Sequence, residues 1–416
     1  MSGPGVTRRW VLVAAGTAAI VGAAAVTLPA SASATPEDLR ARVLAGLPPH
    51  VGYAESTGRL GLPEIPALEQ VTALFTGVTP MRTRYVDAGA WRVDELTPAG
   101  ERDTYHLGDV EYLWDFGVNQ LTRVAGETAV RLPRASDLVP SDLAHRLVEL
   151  TRGEPVSAIA ARRVAGFDAA GFRIAPADPD TTVGRIDVWC DPASGLPLRV
   201  EIAARGQEDP LLFTEFREVA LTRPDIAVPT APPGAGAVTA EAADLAGALR
   251  QLDAAPPPRR LAGRDLVPVL THPVGSASDQ PPVPTHPVGS ASDQPPVPTH
   301  PVGSASDRPP VPTHPVGSAS DRPPEGLPGV GVYGTGVAAF VLVPASRGIA
   351  ERVVDGAAAA GGTAVEVPVG RAAILTTPLL SVAARGGVRR GGVLLAGTVR
   401  PSVLVQALRE LPGRPA

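Results

Sequence analysis

The sequence predicts an α+β protein, in which a large curved antiparallel sheet carries two or three helices and a small second α+β domain follows a proline-rich linker. Three observations predict it. Between residues 51 and 221, short apolar runs alternate with a period of two, as half-buried strands do. Turn signals such as Asp87-Ala88-Gly89, Pro98-Ala99-Gly100 and Gly108-Asp109 separate most of those runs. A 14-residue repeat of the type THPVGSASDQPPVP, starting at Thr271, Thr285 and Thr299 with a truncated copy from Thr313 to Pro324, then divides the chain.

The elements follow in order. Arg8 and Arg9 precede an apolar run from Trp10 to Leu28, and Ala30-Ser31-Ala32-Ser33-Ala34 follows it. That is the pattern of a signal peptide with cleavage after Ala32 or Ala34, and the same run could instead stay as an N-terminal membrane anchor. The arginine pair also loosely fits a twin-arginine leader. Residues 1–34 therefore form the leader, and the mature protein is expected outside the cytoplasm, secreted or held at the membrane. Thr35-Pro36-Glu37-Asp38 reads as a helix start, and Pro48-Pro49 stops that helix. Strands are expected at about 51–60, 82–87, 90–96, 102–107, 110–116 and 119–124, a helix over 138–151, and further strands at about 158–165, 170–175, 184–190, 197–203 and 211–221.

Residues 226–255 are expected as a helical connector and 256–328 as the linker. Proline at that density fixes φ and removes backbone donors, which predicts an extended, semi-rigid spacer between two domains. Such a spacer could hold the second domain away from a membrane or carry it through a cell wall. Each repeat carries one histidine, but 14 residues of polyproline II span about 43 Å, too far for the four imidazoles to converge on one ion. In residues 329–416, a first strand ends near Val343. A helix is expected over about 348–360, strands near 363–367, 371–376, 379–384 and 392–398, and a last amphipathic helix from Pro401 to Leu411. The basic stretch Arg385 to Arg390 reads as an exposed hairpin turn.

Composition excludes several chemistries. The chain has no lysine, so a GxxxxGK[ST] phosphate loop, a pyridoxal Schiff base and a Ser/Lys dyad are all ruled out. Its formal charge of −5 argues against a nucleic-acid partner. The single Cys190 cannot form an internal disulfide and reads as a buried strand residue. Gly329-Val330-Gly331-Val332-Tyr333-Gly334 matches a dinucleotide fingerprint, but a proline linker precedes it and a β-branched run follows, where that fingerprint needs a strand and a helix. Neither G-x-S-x-G nor H-E-x-x-H occurs, and His106 between Asp103 and Asp109 reads as one of several exposed polar residues beside a turn. No catalytic residue, metal site or cofactor is predicted.

Trp91-Arg92-Val93-Asp94, Asp109 to Asp115, Asn119 to Arg123 and above all Val188-Trp189-Cys190-Asp191-Pro192-Ala193-Ser194-Gly195-Leu196-Pro197-Leu198-Arg199 resemble the LolA and RseB/MucB group of exported proteins, in its actinobacterial form. The resemblance covers about residues 35–225, and the part after Gly326 is similar to the small domain of the RseB-like members. It implies an unclosed β-barrel with helices over its concave face and an apolar cavity for an acyl chain or lipoprotein anchor. In the RseB-like branch it also implies contact with a membrane-bound anti-sigma factor.

Strand alternation puts Tyr112, Trp114 and Phe116 on one face, with Glu111, Leu113 and Asp115 on the other. Trp91 and Tyr105 could extend the aromatic face, so Trp91, Tyr105, Tyr112, Trp114 and Phe116 are the candidate cavity residues. Two readings remain: a lipid or lipoprotein binder with a true cavity, and a protein-docking module whose aromatic rings simply fill a core.

Overall fold

The computed structural model describes residues 34–61, 69–98, 100–125, 131–241, 245–252, 255–267, 327–388 and 391–412. Arg8, Arg9 and Ala32 of the leader and all four repeat copies lie outside the described residues; Ala34 is the first residue within them. No helix among the described residues is long and apolar enough to cross a membrane.

The first lobe opens with α1 (Pro36–Leu44), whose N-cap forms the expected reciprocal pair: the Asp38 amide donates to Thr35 Oγ1 and the Thr35 amide to Asp38 Oδ2, each at 3.1 Å. Then come β1 (His50–Gly58), α2 (Glu69–Thr76), β2 (Val78–Asp87), β3 (Ala90–Thr97), β4 (Gly100–Leu107), β5 (Val110–Asp115) and β6 (Gln120–Ala125). A 3-10 turn (Ala135–Leu138) leads into α3 (Pro140–Leu150). The lobe continues with β7 (Val156–Val164), β8 (Phe167–Ile174), β9 (Val183–Cys190), β10 (Pro197–Ala204), β11 (Leu212–Ala220) and β12 (Gly236–Glu241).

These strands make one unclosed 12-stranded sheet in the order β12-β6-β5-β4-β3-β2-β1-β11-β10-β9-β8-β7. The sheet is mixed, because β12 pairs parallel to β6 where a purely antiparallel sheet was expected. The cause is a crossover: after β11, at the middle of the sheet, residues 221–235 travel to the far edge, and the chain arrives there running the same way as β6. Residues 226–255, read as a helical connector, thus hold a strand as well as the short α4 (Leu245–Arg250).

One sheet face is covered by helices. His50 of β1 is fully buried, and its Nε2 lies 3.4 Å from Ser141 Oγ of α3. Along the centre, Phe172, Ile186, Val188, Leu198, Val200 and Phe216 are buried and supply the apolar core. The opposite face carries a ladder of charges. Arg173 and Arg185 hold the buried Asp187, and Arg162 and Arg199 hold the buried Glu201. Each buried acid therefore has a cation, the condition under which burying a charge is tolerable.

The Asp191-to-Gly195 turn anticipated from sequence is built by its own side chain: Asp191 Oδ2 accepts from the Ser194 amide at 3.0 Å and from Ser194 Oγ at 2.6 Å. Gly195 follows at φ 76°, and a Cβ there would stand 2.9 Å from the Arg42 Cβ of α1. The turn thus fixes the β9–β10 hairpin and seats α1 against it.

The second lobe has β13 (Arg260–Leu261), β14 (Arg264–Val267), β15 (Gly331–Tyr333), β16 (Phe340–Ala345), α5 (Arg347–Ala359), β17 (Thr363–Val365), β18 (Arg371–Thr376), β19 (Ser381–Val388), β20 (Gly391–Gly397) and α6 (Pro401–Glu410). Its eight-stranded sheet has the order β13-β14-β15-β16-β20-β19-β18-β17. Alternation sends Ile374, Ala383 and Leu395 to the α6 side with Leu404 and Leu408, and Ala373, Ala384 and Leu394 to the α5 side with Val354.

Two findings differ from the sequence reading. Residues 260–267, assigned to the linker, are strands, and β14 pairs antiparallel with β15, Val267 opposite Val332. The segment between them, repeats included, is therefore inserted between neighbouring strands of one lobe. Arg385 is buried, where an exposed turn was expected; its guanidinium donates to the Leu411 and Pro412 carbonyls at 2.7 and 2.6 Å, satisfying acceptors left free at the end of α6.

The lobes interlock through the loop before β9. Thr181 Oγ1 lies 2.8 Å from the Val337 and Thr398 carbonyls, Thr182 donates its amide to Thr398 at 2.9 Å, and the Arg400 amide donates to Asp180 at 2.7 Å. Arg264 of β14 adds ion pairs to Asp178 at 2.9 Å and Asp180 at 3.3 Å.

Candidate functional site

A cavity of about 340 Å³ lies on the helix-covered face, between β3–β6 and a roof made by α2 and the 3-10 turn. The pairing register explains its floor. Val93 stands opposite Thr104, Thr104 opposite Leu113 and Leu113 opposite Thr122. The next row on the same face is Glu95, Arg102, Asp115 and Gln120. Leu74 of α2 and Ser136 of the turn contribute from above.

The lining is part apolar and part charged, and its charges are unequally satisfied. Arg102 pairs with Asp115 at 3.2 Å, and Arg134, at the cavity wall, pairs with Glu111 at 2.7 Å. Glu95 is half-buried and has neither a hydrogen bond nor an ion pair among the described residues. Burial pushes its carboxyl above the usual carboxylate range, with Arg102 opposing. Ser136 Oγ is buried with no hydrogen-bond partner among the described residues. The described residues lining the cavity include no His and no Cys.

The aromatic candidates divide between the two faces. Tyr105 pairs with Tyr112, and Trp114 with Leu121, on the other face of the sheet, though Trp114, like Asp103, also borders the cavity. There Tyr105, Trp114 and Leu121 form a buried cluster with Tyr112, and Ile226, Ala231 and Ala235 of the crossing segment pack over it. Trp91 stands opposite His106 on the helix-covered face, the two rings stacked at 5.3 Å between centroids. Phe116 lies past the end of β5, half exposed, edge-on to Trp114 at 5.1 Å. The register therefore brings Tyr105, Tyr112 and Trp114 together and leaves Trp91 apart from them.

Beside that cluster, Asp94, Glu101 and Asp103 bring carboxylate oxygens within 4.8 Å of one another. The cation among them is Arg92. It bonds Asp94, reaches Asp103 at 2.8 Å and Glu101 at 3.5 Å, and stacks over Tyr105 at 4.6 Å. Burial, then the adjacent Asp94 carboxylate, pushes the Asp103 carboxyl upward against the pull of Arg92. Elsewhere, Cys190 is fully buried and its thiol is pushed up to about 12 by burial, so it is no nucleophile at neutral pH. His145 is tied through Nδ1 to the Val43 carbonyl at 2.9 Å, a contact between α3 and α1.

Glu95, Leu74 and Ser136 went unread in the sequence. Alternation assigned Leu113 and Asp115 to the face opposite the aromatic rings, but it does not say which face helices cover. The helix that decides the matter, α2, is only eight residues long and follows Pro63 and Pro66 closely, so its period is short-lived.

No protein-family model and no curated protein matches the chain. Solved structures similar to it include the Pseudomonas aeruginosa MucA/MucB complex, at 14% identity over 91% of this chain and 96% of that one, with a TM-score of 0.38. An uncharacterized conserved protein from Thermus thermophilus matches at 13% identity over 49% of this chain and 98% of that one, TM-score 0.30. A LolA-superfamily protein from Nitrosomonas europaea matches at 11% identity over 46% and 95%, TM-score 0.21. The sheet order itself has what the sequence resemblance implies, an unclosed sheet beneath helices joined to a small α+β lobe.

Proposed function

We propose that this chain is an extracytoplasmic binding or sensing protein, without a catalytic role, whose cavity takes the acyl portion of a lipid or lipoprotein. The observation that carries the reading is the 340 Å³ space under α2, with Leu74, Val93 and Leu113 on its walls. That volume is at the low end of the ~300–1,000 Å³ typical of ligand sites, which suits one chain end better than a whole lipid. The leader pattern supports export, and the motifs shared with RseB-like proteins support a membrane protein such as an anti-sigma factor as partner. The interlocked lobes would let a change at the cavity reach the second lobe. Leu113→Trp, which fills the cavity, tests the reading: native mass spectrometry should find co-purified lipid on the parent and none on the variant. A lipid-free parent that takes up no added acyl chain would overturn it.

A second reading, a protein-docking module with no lipid ligand, draws on the filled aromatic cluster beneath residues 226–235. Capture of a membrane protein with equal strength by the parent and by Leu113→Trp, neither carrying lipid, would favour it.

A further inference from the structure

We propose that the cavity selects an amphiphile whose polar end carries an ammonium group, held by the carboxylate of Glu95. This rests on the lipid-binding reading above and deepens it. Of the charges lining the cavity, Arg102 pairs with Asp115, Arg134 with Glu111 and Asp103 with Arg92, and Glu95 is left over. It sits in the floor of the cavity, beside Arg102 in register and one pleat from Val93, without a hydrogen bond or ion pair among the described residues. A half-buried carboxylate without a partner destabilises the empty protein, and a cation delivered to it recovers that loss on binding. Across the cavity, the buried Ser136 Oγ also lacks a partner among the described residues and can accept a second N–H from the same group. Leu74, Val93 and Leu113 then take the hydrocarbon. An anionic head would meet three lining carboxylates, Glu95, Asp103 and Asp115, against two lining cations, Arg102 and Arg134, and be disfavoured, and a neutral head would leave the Glu95 charge unanswered. The chemistry has two sources in a cell envelope: an aminophospholipid headgroup, or the free amino terminus of a lipidated polypeptide.

The experiment titrates the full chain with three single-chain probes, dodecylammonium, dodecanol and dodecanoate, and repeats the series with Glu95→Gln, Glu95→Asp and the cavity-filling Leu113→Trp. Any binding to the apolar leader is common to all four proteins and is read from Leu113→Trp. The expected result is dodecylammonium binding at least tenfold tighter than dodecanol in the parent. That preference is lost in Glu95→Gln, with dodecanol affinity unchanged, and retained in Glu95→Asp. Cavity binding of dodecanol with no ammonium preference, or a preference that survives Glu95→Gln, overturns this inference and leaves the lipid reading standing. If no probe binds the parent better than Leu113→Trp, both fall. Phosphatidylethanolamine, and an acylated peptide with a free or acetylated amino terminus, then distinguish the two sources.

Discussion

Replacing Arg92 by leucine should destabilise the first lobe at neutral pH, and the damage should shrink on acidification. Among the described residues, Arg92 is the only cation within bonding distance of Asp103, whose side chain is fully buried; Asp94 would keep Arg84 at 2.9 Å. Without Arg92, Asp103 retains one hydrogen bond, from Tyr105 at 3.2 Å, and faces Asp94. Leaving one member of a buried pair unpartnered costs about 3–5 kcal/mol. The carboxyl can escape by taking a proton, which at pH 7 costs about 4 kcal/mol for a group whose unfolded pKa is near 3.9. Asp103 is already pushed up to about 7 in the parent, so most of that cost is present before the substitution, and the further loss through this group is about 1 kcal/mol at pH 7.5. The sign with pH is fixed: an acid whose folded pKa is raised binds more protons folded than unfolded. Stability then falls as pH rises from about 4 up to the folded value, and Arg92→Leu pushes that value higher. Urea unfolding followed by tryptophan fluorescence reads the first lobe, where Trp91, Trp114 and Trp189 all lie. The deficit should be largest at pH 7.5, smaller at pH 5.5, and mostly removed by adding Asp103→Asn. A variant as stable as the parent at pH 7.5, or a deficit that grows on acidification, would refute the reasoning.

Three further outcomes are expected. Arg264→Ala removes two charge-assisted bonds at the lobe joint, each worth about 1.5–3 kcal/mol when intact; exchange of the Thr182 and Arg400 amides should speed up at least tenfold, and unchanged protection would mean the joint does not depend on Arg264. Gly195→Ala combines a left-handed φ with the close approach of Arg42 and should lower the urea midpoint by the equivalent of about 1–3 kcal/mol; an unchanged midpoint would count against the turn as the seat of α1. Cys190 should resist iodoacetamide in the folded protein and react after denaturation, as a thiol pushed up to about 12 and fully buried must.

Much of the fold was legible because strands with one buried face write a period of two into the chain. The runs around 90–96, 102–107 and 110–116 correspond closely to β3, β4 and β5, and the capping box at Thr35 and Asp38 stands as read. What the sequence left out depends on relations between distant segments. Gly236–Glu241 has no pattern that announces a parallel partner, since its pairing with β6 follows from the route of residues 221–235 across the sheet. The same route explains the rings: Tyr105, Tyr112 and Trp114 do share a face, but their cover is Ile226 and Ala231, more than 100 residues away in sequence, not a helix. Trp91 was grouped with them only because strand-to-strand parity is invisible until β3 is laid against β4. Arg385 shows the same limit, since its acceptors lie beyond the end of α6.

The strands on either side of the histidine- and proline-containing tract are hydrogen-bonded neighbours, Leu266 facing Tyr333 and Val267 facing Val332. Both ends of the tract are consequently pinned one strand-width apart, whatever its length. Gaining or losing a 14-residue copy leaves the pairing of these two anchor strands untouched. For a flexible closed loop, even a doubling in length costs only about 0.6 kcal/mol. Duplication errors in this stretch of the gene would be nearly silent for folding, so copy number is free to drift between close relatives while both sheets stay the same.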